Sequence, residues 1–131
     1  MTCQLGVILV VWVKPLTDVM TCLRFSYASL LVGNLAMDKQ GRARVLSSPT
    51  LLDSLTRLVW DDDVKTVRHT TGALRNISSD SAGRKRVKLD KAAVGQIQYL
   101  ASHSDVNTAR YASAVIKNLD TKGSKTPKFT F

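Results

Sequence analysis

Hydrophobic and polar positions alternate with the period of an α-helix in the middle of the chain. One face of this segment carries Val64, Val67, Leu74 and Ile77, which recur at a spacing close to 3.6 residues. Asp63 stands immediately before the segment, where a carboxylate can accept hydrogen bonds from the unpaired backbone N–H groups of a helix start. The pattern therefore predicts a helix that begins after Asp63. Asp105 stands before a second such segment, and we predict a helix start there for the same reason.

A second apolar pattern precedes this helix. Pro49 stands just ahead of Leu51, Leu52, Leu55 and Leu58, and proline is favoured in the first turn of a helix. We therefore predict a helix that starts at Pro49.

Residues 5–13 (LGVILVVWV) form the most apolar stretch of the sequence. The stretch is far shorter than the roughly 20 residues that a membrane-spanning helix needs. It also lacks the basic start and the small-residue cleavage site of a signal peptide. We therefore predict no membrane span.

The chain repeats itself at an offset of 42 residues without gaps. Asn34 falls on Asn76, and Asn76 falls on Asn118. The same offset aligns further identical pairs, which are Asp38 with Asp80, Gly41 with Gly83, Arg42 with Arg84, Val45 with Val87, Leu58 with Leu100, Asp63 with Asp105 and Arg68 with Arg110. We expect Gly41 and Gly83 to mark the link between two helices of each unit. So many coincidences at one offset indicate repeated units that bury their faces on their neighbours.

The repeated segments resemble armadillo repeats. The stretches "DDDVKTVRHTTGALRNIS" and "SDVNTARYASAVIKNLD" are similar to the family's acidic turn and long inner helix, and "GRARVLSSPTLLDSLTRLV" is similar to its short helix, turn and outer helix. Within this family, the segments most resemble the Smg GDS-type GTPase dissociation stimulators and the delta-catenin/plakophilin group. The resemblance covers about residues 5–120. It implies an all-α fold, a short right-handed superhelical solenoid of armadillo-type repeats.

The offset also suggests how the chain is organised. We expect an armadillo-like domain over residues 1–120 and a basic tail over 121–131, with full units near 22–63 and 64–105 and partial units at 5–21 and 106–120. Residues 5–17 align with the predicted outer helix, so they read as the outer helix of an incomplete unit. Terminal units normally carry a polar cap, and this one is apolar. We expect another subunit, self-association or a further part of a longer protein to cover it; the alternative is an irregular helix that folds back.

Each repeated asparagine defines a stripe along a predicted inner helix. On an ideal helix, the residues seven and eleven positions earlier lie within about 20° of it. The stripe and its flanks hold Asn34, Asn76, Asn118, Tyr27, His69, Tyr111, Lys65, Arg68, Arg75, Arg110 and Lys117. Asparagine can bond both the N–H and the C=O of an extended peptide, the rings can pack on its side chains, and the cations can pair with its carboxylates.

The armadillo resemblance implies the same use of the asparagine, since the family holds extended ligands with it. The alternative is that asparagine near a helix end bonds local backbone and only finishes the repeat. Import receptors of this family carry tryptophan four residues before the asparagine, where this chain has Leu30, Gly72 and Ala114. We therefore do not expect recognition of nuclear import signals.

Composition and charge restrict the class of partner that the chain could bind. Apolar residues make up 44% of the 131 residues and charged residues 22%, which is typical of a globular chain. The formal net charge of +9 favours acidic partners. The two cysteines, Cys3 and Cys22, have no disulfide or metal spacing, which indicates reduced thiols and a cytoplasmic or nuclear location.

A basic run, Arg84, Lys85, Arg86 and Lys88 within "RKRVK", resembles a monopartite nuclear import signal and could also touch phosphates. Arg84 and Arg86 have repeat counterparts in Arg42 and Arg44, which favours a solvated helix face instead. The three aspartates at 61–63 are better explained by helix capping than by a metal. No arrangement typical of a catalytic triad or phosphate loop occurs, so we predict no enzyme activity, no metal and no cofactor.

These patterns favour a non-catalytic protein-interaction module or assembly subunit. It would use the concave inner-helix surface and its apolar ends, and its partner would be an acidic protein or extended peptide. One alternative is a small-GTPase regulator of the Smg GDS type. Another is a nucleic-acid or ribonucleoprotein-associated basic repeat protein.

Overall fold

The computed structural model describes residues 23–121, and every regular element in that range is helical. The chain is helical over 23–35, which we label α1. The elements that follow are α2 (Lys39–Leu46), α3 (Pro49–Arg57), a 3-10 turn (Leu58–Trp60), α4 (Val64–Ile77), α5 (Ser81–Lys88), α6 (Lys91–Leu100) and α7 (Val106–Asp120). The all-α prediction is confirmed. The predicted outer helix at 5–17 and the tail beyond Thr121 lie outside the described residues.

Local sequence signals set where these helices begin. Asp63 starts α4, and its carboxylate accepts the Thr66 backbone N–H at 2.9 Å. Asp105 starts α7 in the same way, accepting the Thr108 backbone N–H at 3.0 Å. The first residue of α3 is Pro49. All three predicted helix starts are confirmed, because each depends on residues within one turn.

Gly41 and Gly83 lie inside the short helices α2 and α5, which form the predicted link between longer helices. A Cβ on Gly41 would lie 1.6 Å from the carbonyl oxygen of Leu35, and a Cβ on Gly83 would lie 1.6 Å from that of Ile77. Each short helix therefore crosses the end of the preceding long helix so closely that only glycine fits.

Helix α4 lies between α1 and α7. The hydroxyls of Ser29 and Thr70 are 3.0 Å apart in the buried contact between α1 and α4. Among the helices from α2 to α7, the pair α4 and α7 forms the most extensive contact. The core beneath these helices is closed by apolar residues of α3, α4 and α6, including Leu52, Leu74 and Ile97. This side-by-side arrangement places α1, α4 and α7 on one common surface.

No helix within residues 23–121 combines the length and the apolar character that crossing a bilayer requires.

Candidate partner-binding groove

A shallow groove of about 120 Å³ runs across the surface shared by α1, α4 and α7. Its walls are formed by Leu30, Gly33, Asn34, Met37, His69, Gly72, Ala73, Arg75, Asn76 and Tyr111. Five of these were singled out from the sequence: Asn34, His69, Arg75, Asn76 and Tyr111. These five residues, which lie up to 77 positions apart in the chain, meet at one site because the long helices lie side by side.

One wall of the groove is an arginine stacked on an aromatic ring. The guanidinium carbon of Arg75 lies 4.7 Å from the centre of the Tyr111 ring, a distance typical of a cation–π contact. The ring itself lies against Gly72, where an added Cβ would come within 3.3 Å of it. Arg75 pairs with no carboxylate in the described range. The groove therefore presents a fixed cation to whatever enters it.

The side chains of two repeated asparagines, Asn76 and Asn118, donate hydrogen bonds to the long helix that precedes their own. The side-chain amide of Asn76 donates to the Gly33 carbonyl at 2.9 Å. The amide of Asn118 donates to the Arg75 carbonyl at 3.3 Å and to the Ser78 hydroxyl at 3.2 Å. These bonds join neighbouring long helices. The alternative hypothesis from the sequence predicted instead that each asparagine would bond the backbone of its own helix end.

Asn34 differs from its two counterparts. Its side chain is exposed and makes no hydrogen bond to any residue between 23 and 121. Of the three repeated asparagines, Asn34 is therefore the one whose amide and carbonyl are both available to a ligand.

His69 contributes a neutral ring to the groove. Burial is the main cause that lowers its pKa below the ordinary value, and the nearby charges of Arg68 and Lys65 lower it further. Asp63 opposes these effects only in part. At neutral pH the imidazole is therefore uncharged, and it can both donate and accept a hydrogen bond.

Arg68 is withdrawn from the predicted stripe by an ion pair. Its guanidinium donates to both carboxylate oxygens of Asp105, at 3.0 and 2.8 Å. This fork holds the pKa of the Asp105 carboxyl well below its usual range, and the Thr108 hydroxyl, which donates at 2.7 Å, lowers it further. The hydrogen bond to Asp105 likewise raises the pKa of Arg68. Arg68 therefore joins α4 to the start of α7.

The other predicted residues lie away from the groove. Lys65, Arg110 and Lys117 are exposed, Tyr27 is 66% exposed at the outer side of α1, and Asn118 is half-buried between α4 and α7. Five groove residues were missing from the predicted set of contacts, and these are Leu30, Gly33, Met37, Gly72 and Ala73. Leu30 and Gly72 lie at positions noted in the sequence; the other three depend on how closely α1 and α4 approach, which no linear pattern reports.

The basic run at 84–88 is not a uniformly solvated face, and that prediction is wrong for Arg84. Only 9% of Arg84 is exposed, and its guanidinium donates to the Ser79 carbonyl at 3.3 Å. Arg86 donates to the Asp53 carboxylate at 2.6 Å. Lys85 and Lys88 alone remain as freely exposed cations of the run. The run therefore contributes to joining α5 to its neighbours, which leaves little of it for phosphates.

The described part of the chain contains no group of three or more His, Cys, Asp or Glu side chains that could hold a metal ion. Comparison of the sequence with protein-family models and with curated proteins finds no match. The groove is therefore interpreted from its own chemistry.

Proposed function

We propose that this chain is a short armadillo-type solenoid that acts as a non-catalytic protein-binding module, and that its groove binds an extended, acidic peptide. The observation that carries the proposal is the meeting of Asn34, Arg75 and Tyr111 from three different helices in one groove. An amide, a cation and an aromatic face are the groups that an extended acidic segment needs.

The repeated architecture supports the solenoid part of the proposal. Asp38 and Asp80 cap α2 and α5 with the same bond to a glycine N–H three residues later. Asp63 and Asp105 cap α4 and α7 with the same pair of bonds to a threonine. Equivalent positions therefore make equivalent contacts, as expected of stacked units.

The state of Arg75 supports the acidic ligand. The guanidinium is half-buried and held over Tyr111, so little side-chain freedom is lost when a carboxylate binds it. A partly buried cation also attracts a carboxylate more strongly than a fully solvated one. Asn34 lies in the same groove and can bond the peptide backbone, which would give affinity without regard to side chain.

The direct test is fluorescence anisotropy with a labelled extended peptide in which glutamate alternates with valine. Arg75→Gln should weaken binding at least about tenfold, since it removes a charge-assisted hydrogen bond. Asn34→Ala should weaken binding severalfold while leaving the helicity unchanged. Arg57→Gln is the matched control, because Arg57 is exposed on α3, away from the groove. Equal losses from Arg57→Gln and Arg75→Gln would mean non-specific charge attraction and would overturn the proposal.

The same preparation separates the other predicted classes. For a nucleic-acid binder, the logarithm of the affinity for a labelled oligonucleotide falls linearly and steeply with the logarithm of the salt concentration. For a GTPase regulator, nucleotide-exchange rates of small GTPases change when the chain is added. A peptide ligand that binds in the groove predicts neither behaviour.

A further inference from the structure

Helices α1 and α7 carry the same residues at their contact positions. Tyr27, Ala28 and Ser29 match Tyr111, Ala112 and Ser113, and the Asn-Leu pair at 34–35 matches the pair at 118–119, all at an offset of 84 residues. The two helices stand at opposite ends of the described stack, with α4 between them.

On α7, the tyrosine and the asparagine make the contacts that seat this helix on α4. The Tyr111 ring lies on Gly72, within 3.3 Å of where a Cβ would be. The Asn118 amide reaches the Arg75 carbonyl and the Ser78 hydroxyl. These contacts define how one long helix receives the next.

On α1, the same two residues dock against no long helix within residues 23–121. Tyr27 is 66% exposed, and the Asn34 side chain bonds no residue of the described range. Helix α1 therefore carries the same docking residues as α7, and no helix in the described part of the chain receives them.

The opposite end of the stack offers a receiving helix that nothing described covers. The face of α4 beneath α7 holds Val67, Thr71, Leu74 and Ser78, and all four are buried. The equivalent residues on α7 are Ala109, Ser113, Ile116 and Asp120, and each is half-buried or exposed. Beside this face lies an open groove of about 470 Å³ between α6 and the end of α7. The receiving side of α7 is thus unoccupied within residues 23–121.

We propose that a second copy of this chain docks head to tail, with its α1 lying on α7 of the first copy as α7 lies on α4. Tyr27 of the second copy then rests on Ala114 of the first, beside Lys117, which takes the place of Arg75. The Asn34 amide of the second copy reaches the Lys117 carbonyl and the Asp120 carboxylate. Ala114 carries a methyl group where Gly72 has none, so the tyrosine ring sits a few tenths of an ångström further out than on Gly72.

This contact joins two different surfaces rather than one surface with itself, so it builds larger assemblies of copies instead of a two-fold dimer. The net charge of +9 on each copy opposes the contact. Since salt screens that repulsion, the association tightens as ionic strength rises, unlike the binding of a nucleic acid.

The test is sedimentation velocity on the full chain over a wide concentration range. Tyr27→Glu blocks the α1 end and Ser113→Arg blocks the α7 end; both side chains are exposed, so both variants fold. Each variant alone should self-associate at least about tenfold more weakly than the unmodified chain. The matched controls are Tyr99→Glu and Ser54→Arg, which change exposed residues of α6 and α3 and should associate normally.

Mixing the two blocked variants decides the geometry. Tyr27→Glu retains a free α7 end and Ser113→Arg retains a free α1 end, so the mixture should form a one-to-one dimer that neither forms alone. An unmodified chain that stays monomeric at every concentration overturns the proposal, as does a blocked variant that self-associates alone as tightly as the unmodified chain. The contact between copies engages the Asn34 amide, which the proposed peptide also uses, so the two would compete for it. Tyr27 and Ser113 themselves do not line the partner-binding groove, so peptide binding by either blocked variant alone, in which Asn34 stays free, reports on the groove separately.

Discussion

Asp63 and Asp105 offer a matched pair of positions for measuring how much the contact between α4 and α7 contributes to stability. Both carboxylates cap a helix and accept two bonds from a threonine at nearly the same distances. Only Asp105 also accepts the two bonds from Arg68. Replacing each aspartate by asparagine keeps a good helix cap but removes the negative charge and one of the two acceptor oxygens.

The expected difference follows from the geometry of the ion pair. The Arg68 and Asp105 side chains are 28% and 18% exposed and bond through two parallel contacts. An exposed pair would contribute about 0.2–1 kcal/mol, and a largely buried, two-pronged pair contributes more. Asp105→Asn should therefore lower the free energy of unfolding by about 1–2 kcal/mol, whereas Asp63→Asn should change it by less than about 0.5 kcal/mol.

Urea unfolding followed by far-UV circular dichroism measures both variants, and thermal melts should show a fall of about 3–8 °C for Asp105→Asn alone. Arg68→Gln, made in each background, completes a double-mutant cycle. Equal destabilisation by Asp63→Asn and Asp105→Asn would refute the reasoning, since the fork from Arg68 would then contribute nothing.

The pair also fixes the pH dependence of this difference. The folded-state pKa of Asp105 is lowered, mainly by its bonds from Arg68, so its contribution is complete above the unfolded pKa of about 4. As pH falls through that value toward the folded pKa, the carboxyl takes up a proton and the contribution is lost. The gap between the unmodified chain and Asp105→Asn should therefore narrow below about pH 4, and a gap that is unchanged at pH 3 would contradict this.

Three further substitutions test the packing by thermal melts. Gly83→Ala should cost about 3 kcal/mol or more, because its Cβ would strike the Ile77 carbonyl oxygen. Gly95→Ala should instead stabilise by about 0.5–1 kcal/mol, since its Cβ would meet no atom within 4 Å inside α6; changes of equal sign would contradict the crossing geometry. Asn76→Ala should cost about 1 kcal/mol by losing its bond to the Gly33 carbonyl, and an unchanged melting temperature would show that this bond is not needed.

The sequence by itself determined the helical class, the repeat offset and the helix starts at Pro49, Asp63 and Asp105. These features depend on spacing and on bonds within one helical turn, so a linear pattern contains them. It also named five of the groove residues, because residues at a helical spacing lie on one face of each long helix.

Only the tertiary structure decided which of those residues meet and which are used internally. Arg68 pairs with Asp105 of another helix, and Arg84 is buried while its guanidinium donates to the nearby Ser79 carbonyl. The pairing of Arg68 and the burial of Arg84 both depend on how the helices pack. The same holds for Met37, which joins the groove although nothing in the local sequence marks it. Whether a side chain is free to bind a ligand depends on which residues of other helices lie next to it. A single sequence gives only the order of residues along the chain and does not show those neighbours.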